Sequence, residues 1–163
     1  MDRPPAAPGA PLTAPPARAF TDGRRARELA MRALFARDVG RGRPADALEY
    51  LVAEEGVGAP EAARARELVE GISARLAEVD RLIAAYAQNW SLPRLAAVDR
   101  NVLRVAVFEI AHSRDVPAAV AINEALEVAK TFGGEDSSRF VNGVLGQLVR
   151  DRASGGEPPA PGI

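Results

Sequence analysis

Eight arginines crowd the stretch between positions 18 and 43 (Arg18, Arg24, Arg25, Arg27, Arg32, Arg37, Arg41 and Arg43), against only Asp22, Glu28 and Asp38. A guanidinium binds phosphate oxygens bidentately and stacks on bases, so a helix start rich in arginine suits RNA. The plainer reading is a solvated helix face in a sequence that prefers arginine, since Lys130 is its single lysine. With a formal net charge of −1 over 163 residues, the chain as a whole does not attract polyanions, and any nucleic-acid site must be local.

Other groupings invite catalysis without supporting it. Glu109 and His112 share one helical segment, but the sequence around them offers no nucleophile, second base or oxyanion site. His112 reads as a helix-end residue favoured by the dipole. Asp136-Ser137-Ser138 imitates a catalytic serine, although as a helix cap it needs no chemistry. Gly133-Gly134 follows no strand and has neither phosphate-loop nor dinucleotide spacing. With no cysteine and one histidine, thiolate chemistry, disulfides and a histidine-based metal site are excluded together. These residues describe a binder with no cofactor or metal, not an enzyme.

The elements that would position these groups are all helical. Met1 to about Phe20 is Pro/Ala-rich with no apolar period, and reads as a disordered arm (residues 1–20). The tail at 153–163 reads as disordered on the same grounds, which leaves one helical domain over 21–152. A first helix, about 23–39 with Thr21 or Asp22 as cap, carries one stripe of Ala26, Leu29, Ala30, Ala33 and Leu34. Met31 and Phe35 fall opposite, among arginines, either packed under a neighbour or forming a partner patch. A second helix covers about 45–54. A third starts near Pro60 and is divided from a fourth at Glu78-Val-Asp80. Trp90 reads as a core plug in a turn.

The fifth helix, about 94–113, is apolar on most of its circumference, which makes it central, with Arg100, Asn101 and Arg104 as its wet stripe. Asp99 projects beside Leu103, Ala106 and Ile110, as a salt-bridging acid or as an acid at a protein interface. The last two helices meet at Gly133-Gly134, where the end of the first calls for a left-handed residue. Pro117 opens the first of them and Asp136 caps the second. Ile122, Leu126, Phe132, Val144 and Leu145 are expected in the core, and Gly143 at a close helix approach. The fold class is all-α, about seven helices. No apolar run approaches the ~20 residues of a bilayer span and no signal peptide is evident, so the expected compartment is the cytoplasm.

Three segments carry a family resemblance. Arg24-Arg-Ala-Arg-Glu-Leu-Ala-Met-Arg-Ala-Leu-Phe35 comes first. Trp90-Ser-Leu-Pro-Arg-Leu-Ala-Ala-Val-Asp-Arg-Asn-Val-Leu-Arg104 follows. Ala-Ile-Asn-Glu-Ala at 121–125, Ala-Lys-x-Phe-Gly at 129–133 and Glu-Asp-Ser-x-x-Phe-Val-Asn-Gly-Val-Leu at 135–145 complete it. In this order they resemble the NusB family of transcription antitermination factors. The resemblance implies two packed helical subdomains that bind boxA RNA of ribosomal transcripts together with NusE, a small-subunit ribosomal protein, and help the RNA polymerase elongation complex resist termination. It implies that Arg24, Arg25 and Arg27 contact RNA phosphates, that Asp136 and Phe140 contact RNA, and that Phe35 and Asp99 face NusE. Phe35 stands where the family often has tyrosine, and Asp99 where it often has glutamate. Some members self-associate, which leaves a homodimer open. NusB-like domains also precede the catalytic domain of some ribosomal RNA cytosine methyltransferases. That alternative is disfavoured here, because the chain carries neither an α/β methyl-donor domain nor a cysteine.

Overall fold

The structure is a computed structural model that describes residues 17–40, 42–88 and 91–156, with side chains from Gly23 onward. Its described residues form seven α-helices and a short 3-10 turn: α1 (Ala17–Val39), α2 (Pro44–Glu54), α3 (Ala59–Ala74), α4 (Leu76–Tyr86), the turn at Leu92–Arg94, α5 (Ala97–His112), α6 (Ala118–Phe132) and α7 (Ser137–Ala153). α1 begins inside the stretch expected to be an arm. Trp90 and most of that arm lie outside the described residues.

Helical periodicity explains the assembly. Ala26, Leu29, Ala30 and Ala33 are fully buried and Leu34 nearly so, which points one stripe of α1 at α2 and α3. α5 packs against α1, α3, α4, α6 and α7, as an almost wholly apolar helix must. Helices α1–α3 and α4–α7 thus make two packed groups, and one hydrophobic core runs through both. α1 and α5 run antiparallel, since Arg27 meets Glu109 while Asp38 meets Asn101 and Arg104.

The polar residues of α5 are not a wet stripe. Asn101 is 0% and Arg104 6% exposed. With helices on every side, these groups are desolvated and must find partners inside. Arg104 donates to Asp80 at 2.8 and 3.0 Å and to Asp38 at 2.8 Å. Asp38 also accepts from Asn101 and from Arg100. Arg100 in turn holds the Leu92 and Leu95 carbonyls, which fixes the turn before α5. Leu95 and Ala96 are extended, so α5 starts three residues later than the apolar pattern suggests.

Burial pushes the Asp38 carboxyl up, but hydrogen bonds from Arg100 and Asn101 and the charges of Arg104 and Arg100 outweigh it and hold the group below its ordinary 3.8. A depressed carboxylate contributes stability that is present above the unfolded value and lost as pH falls through the folded one. The melting temperature should therefore fall on acidification below about pH 4, and Asp38→Asn should flatten that fall while lowering the plateau at neutral pH. An unchanged acid limb in a melting series would remove Asp38 as its source.

Smaller boundaries also differ from expectation. The α3–α4 break is at Arg75, not at Glu78–Asp80, because Val79 and Ile83 already lie on one buried face of α4 and Asp80 is drawn to Arg104. Pro117 occupies the N-cap position of α6, one residue before the helix proper. Gly133 is not left-handed, with φ −92°. It is needed because a Cβ there would collide with the Ser137 side chain and come within 2.7 Å of the Ala129 carbonyl. Gly143 meets nothing. The close approach belongs to Gly71, where a Cβ would strike the Phe108 ring.

Candidate functional site

The arginine run of α1 is largely neutralised by acids from distant parts of the chain. Arg24 clasps Glu124 of α6 with two bonds, at 2.7 and 3.1 Å. That hydrogen bond, opposed by partial burial and helped by the Glu124 charge, raises the Arg24 pKa further. Arg25 and Arg32 share Glu55 at the end of α2. Arg27 is buried, and its Nε and Nη2 donate to Glu109 at 2.6 and 3.0 Å. This geometry turns the Arg27 guanidinium inward onto Glu109, with Nη1 buried and without a partner. Arg24 and Arg25 keep side-chain exposures of 47% and 38%.

The turn between α6 and α7 builds a different kind of place. Ser137 Oγ accepts the Gly134 N–H at 2.9 Å and so shapes the turn. Asp136 stands at the N-cap position of α7 but makes no capping bond with its side chain, which leaves its carboxylate exposed. Opposite lies the start of α5. Arg94, Leu95, Ala96 and Asp99 close a cleft of about 530 Å³ with Glu135, Asp136, Ser137 and Phe140. Asp99, expected on the same partner-facing side as Phe35, lines this cleft with Asp136 and Phe140.

Phe35 lines a second opening. Met31, Phe35, Tyr50, Val98 and Phe132 surround a groove of about 560 Å³ between α1, α2, α5 and α6. Of the pair expected opposite the core stripe, Met31 is buried and Phe35 half-buried, so the two readings divide between them. Phe132 is 37% exposed and belongs to this groove, not to the core. Tyr50 is 66% exposed. Cleft and groove abut, sharing the start of α5 through Val98 and Asp99 and the end of α6 through Phe132 and Gly134.

Arg24, Arg25 and Arg27 line neither opening, whereas Arg32 lines the groove. Arg24 pairs with Glu124, about 12 Å of helix before the end of α6, by the 1.5 Å rise per residue. Phe35, not Arg24, is the part of α1 beside that end.

The sequence pattern of the NusB family matches residues 24–150. The chain belongs to the NusB family. It is 50% identical over 135 residues to the transcription antitermination protein NusB of Symbiobacterium thermophilum, covering 78% of this chain and 88% of that one. The transcription antitermination protein NusB of Heliobacterium modesticaldum is also 50% identical, over 128 residues. That match covers 78% of this chain and spans 62% of the relative's own length. Among solved structures, T. maritima NusB superposes with a TM-score of 0.74 at 39% identity, covering 78% of this chain and 90% of that one. A crystal structure of antitermination factors NusB and NusE in complex with dsRNA shares the fold, with a TM-score of 0.74 at 24% identity, 80% of this chain and 97% of that chain.

Within this NusB-family frame, sequence reasoning did not single out Arg94, Tyr50 or Val98. Arg94 sits one residue after a proline in a segment without periodicity, and Tyr50 lies on the exposed side of a short helix. Only tertiary contacts identify them. Among the described residues no helix is long and apolar enough to cross a membrane, and no cluster of His, Cys, Asp or Glu could hold a metal ion.

Proposed function

We propose that this chain is an RNA-binding transcription antitermination factor that engages boxA RNA together with NusE and thereby helps the RNA polymerase elongation complex resist termination. The observation that carries this reading is the adjacency of two unlike openings, a cleft edged by charged residues and by Phe140 and an apolar groove. Single-stranded RNA is recognised by stacking bases on aromatic rings and reading their polar edges. A protein partner anchors apolar side chains in a groove. Asp136 and Phe140 serve the RNA, and Phe35 with Tyr50 and Phe132 serves NusE. Partner and RNA then meet over the start of α5, so each favours the other.

Arg24 and Arg25 act at the flank. Each must exchange its glutamate, Glu124 or Glu55, for a phosphate, so their contribution is electrostatic and salt-dependent.

A gel shift with boxA RNA and a scrambled control, with and without NusE, tests the reading. BoxA should bind weakly alone and more tightly with NusE. Equal shifts for both RNAs in the presence of NusE would sink it. Replacing Arg24 and Arg25 together by alanine should reduce the slope of log affinity against log salt by about one to two. An unchanged slope would remove both arginines from the interface. A second copy of the chain is the competing occupant of the apolar groove, and sedimentation across a concentration series separates it from NusE.

A further inference from the structure

Groove and cleft are tied through the interior by a side chain that lines neither of them. Arg100, on the first turn of α5, donates from Nε to Asp38 at 2.8 Å. Its Nη1 donates to the Leu92 and Leu95 carbonyls at 3.2 and 3.1 Å. Asp38 stands on α1 one turn beyond Phe35, which lines the groove. The segment after Leu92 carries Arg94, Leu95 and Ala96, which form one wall of the cleft. A guanidinium is planar and rigid, so the two edges that Arg100 uses move as one. The side chains of Arg100 and Asp38 are 14% and 13% exposed, and water screens the pair little.

The wall depends on that tie more than α1 does. A three-residue 3-10 turn has poor hydrogen-bond geometry and little stability of its own. Its local bonds run from the Arg94 N–H to the Ser91 carbonyl at 2.9 Å and from the Leu95 N–H to the Leu92 carbonyl at 3.2 Å. Leu95 is extended and α5 begins at Ala97, so among the described residues the Leu95 carbonyl accepts only from Arg100. Leu92 and Leu95 pack on the core. Apolar contact is non-directional, whereas the two carbonyl bonds set which way the segment faces. Asp38, by contrast, is held in duplicate. It also accepts from Asn101 at 2.9 Å and from Arg104 at 2.8 Å. Loss of the Arg100 bond therefore leaves the acid satisfied and α1 seated.

We propose that Arg100 is a positioning residue for RNA, through which a partner seated against Phe35 fixes the cleft wall opposite Asp136 and Phe140. The proposal rests on the function proposed above and deepens it. A partner that stiffens the end of α1 removes ordering that RNA must otherwise impose on the wall, and the gain in RNA affinity comes largely by this route. The test measures boxA dissociation constants by fluorescence anisotropy, with and without saturating NusE, for the parent and Arg100→Lys. Lysine keeps the charge beside Asp38, but its single ammonium cannot span a carboxylate and two carbonyls. The ratio of constants without and with NusE should be about tenfold in the parent and about twofold or less in Arg100→Lys. NusE alone, followed by calorimetry, should bind the variant within about twofold of the parent.

A merely structural role does not move that ratio, since the molecules that remain folded still transmit the effect. A parental ratio in Arg100→Lys overturns the proposal and leaves direct contact between partner and RNA as the source of the gain. Loss of NusE binding in the variant makes Arg100 a support of the groove and also overturns it. Hydrogen exchange on the unaltered chain needs no variant to fold. NusE without RNA should slow exchange of the Arg94 and Leu95 amides by about threefold or more. No slowing there overturns the proposal, as does slowing that persists in Arg100→Lys. If the parent binds boxA more tightly with NusE and only the variant disagrees, this proposal alone fails. If the parent binds no boxA, or NusE adds nothing, the underlying reading fails with it.

Discussion

Glu109→Gln should lower the folding free energy by about 3–5 kcal/mol, among the largest single-site effects in the chain. Glu109 is fully buried in the middle of the molecule and takes Arg27 Nε at 2.6 Å, Arg27 Nη2 at 3.0 Å and Arg64 Nη2 at 3.1 Å. Removing its charge while keeping its shape leaves two guanidinium groups facing each other in a poorly solvated place. Arg64 has a way out, since it also pairs with Glu67 and its side chain is 28% exposed. Arg27 has none. Its side chain is 7% exposed, and its Nη1 is already buried without a partner. Replacing Arg27 by Met and Glu109 by Leu together should be milder than either change alone, because breaking a buried pair is worse than deleting it. Urea unfolding of the parent, Glu109→Gln, Arg27→Met, Glu109→Leu and the double variant measures this. A Glu109→Gln chain within about 1 kcal/mol of the parent would show that the pair is not the lock it resembles.

That pair marks the limit of what the amino-acid order discloses. Periodicity finds α1 and α5, because a stripe such as Ala26–Leu34 repeats every turn whatever lies opposite. It does not find what neutralises an arginine. Arg24 and Glu124 stand 100 positions apart, and Arg27 and Glu109 stand 82 apart. A helix that seems to offer a row of free guanidinium groups is therefore mostly satisfied from within. The same blindness hides burial of polar groups on α5, where Asn101 and Arg104 look solvated until Asp38 and Asp80 arrive from other helices.

Phe132 illustrates the converse. It continues the apolar phase of Ile122, Leu126 and Ala129, but α6 runs out beside an open groove instead of a neighbouring helix. Short-range chemistry fares better. The turn from Gly133 to Phe140 is legible because Gly133-Gly134 and Asp136 punctuate two apolar stripes, although Gly133 is required by a collision with Ser137 and not by a left-handed φ, and the residues that follow line the cleft. That Asp99 joins them follows only from the packing of α5 on α6 and α7.

Phe35→Asp should weaken association with NusE by about thirtyfold or more, the scale of an aromatic anchor lost from the centre of an interface. Phe35 lines the apolar groove together with buried Met31, half-buried Val98 and the exposed rings of Tyr50 and Phe132. Aspartate there places a charge where a partner's apolar side chain would be desolvated, so the loss combines missing contact area with a carboxylate that must shed its water. Because Phe35 is half-buried and not part of the sealed core, the helices should remain folded, and circular dichroism should show unchanged helical content. RNA binding by the chain alone should persist, since the cleft at Asp136 and Phe140 is a separate opening. What should vanish is the gain in RNA affinity on adding NusE. Tyr50→Ala provides an independent reading of the same surface, because a side chain 66% exposed can be truncated with little effect on stability. Titration calorimetry of NusE into each variant decides the matter. Parental affinity in Phe35→Asp would move the partner off this groove, and a lost RNA response without lost NusE binding would mean that Phe35 acts on the cleft instead.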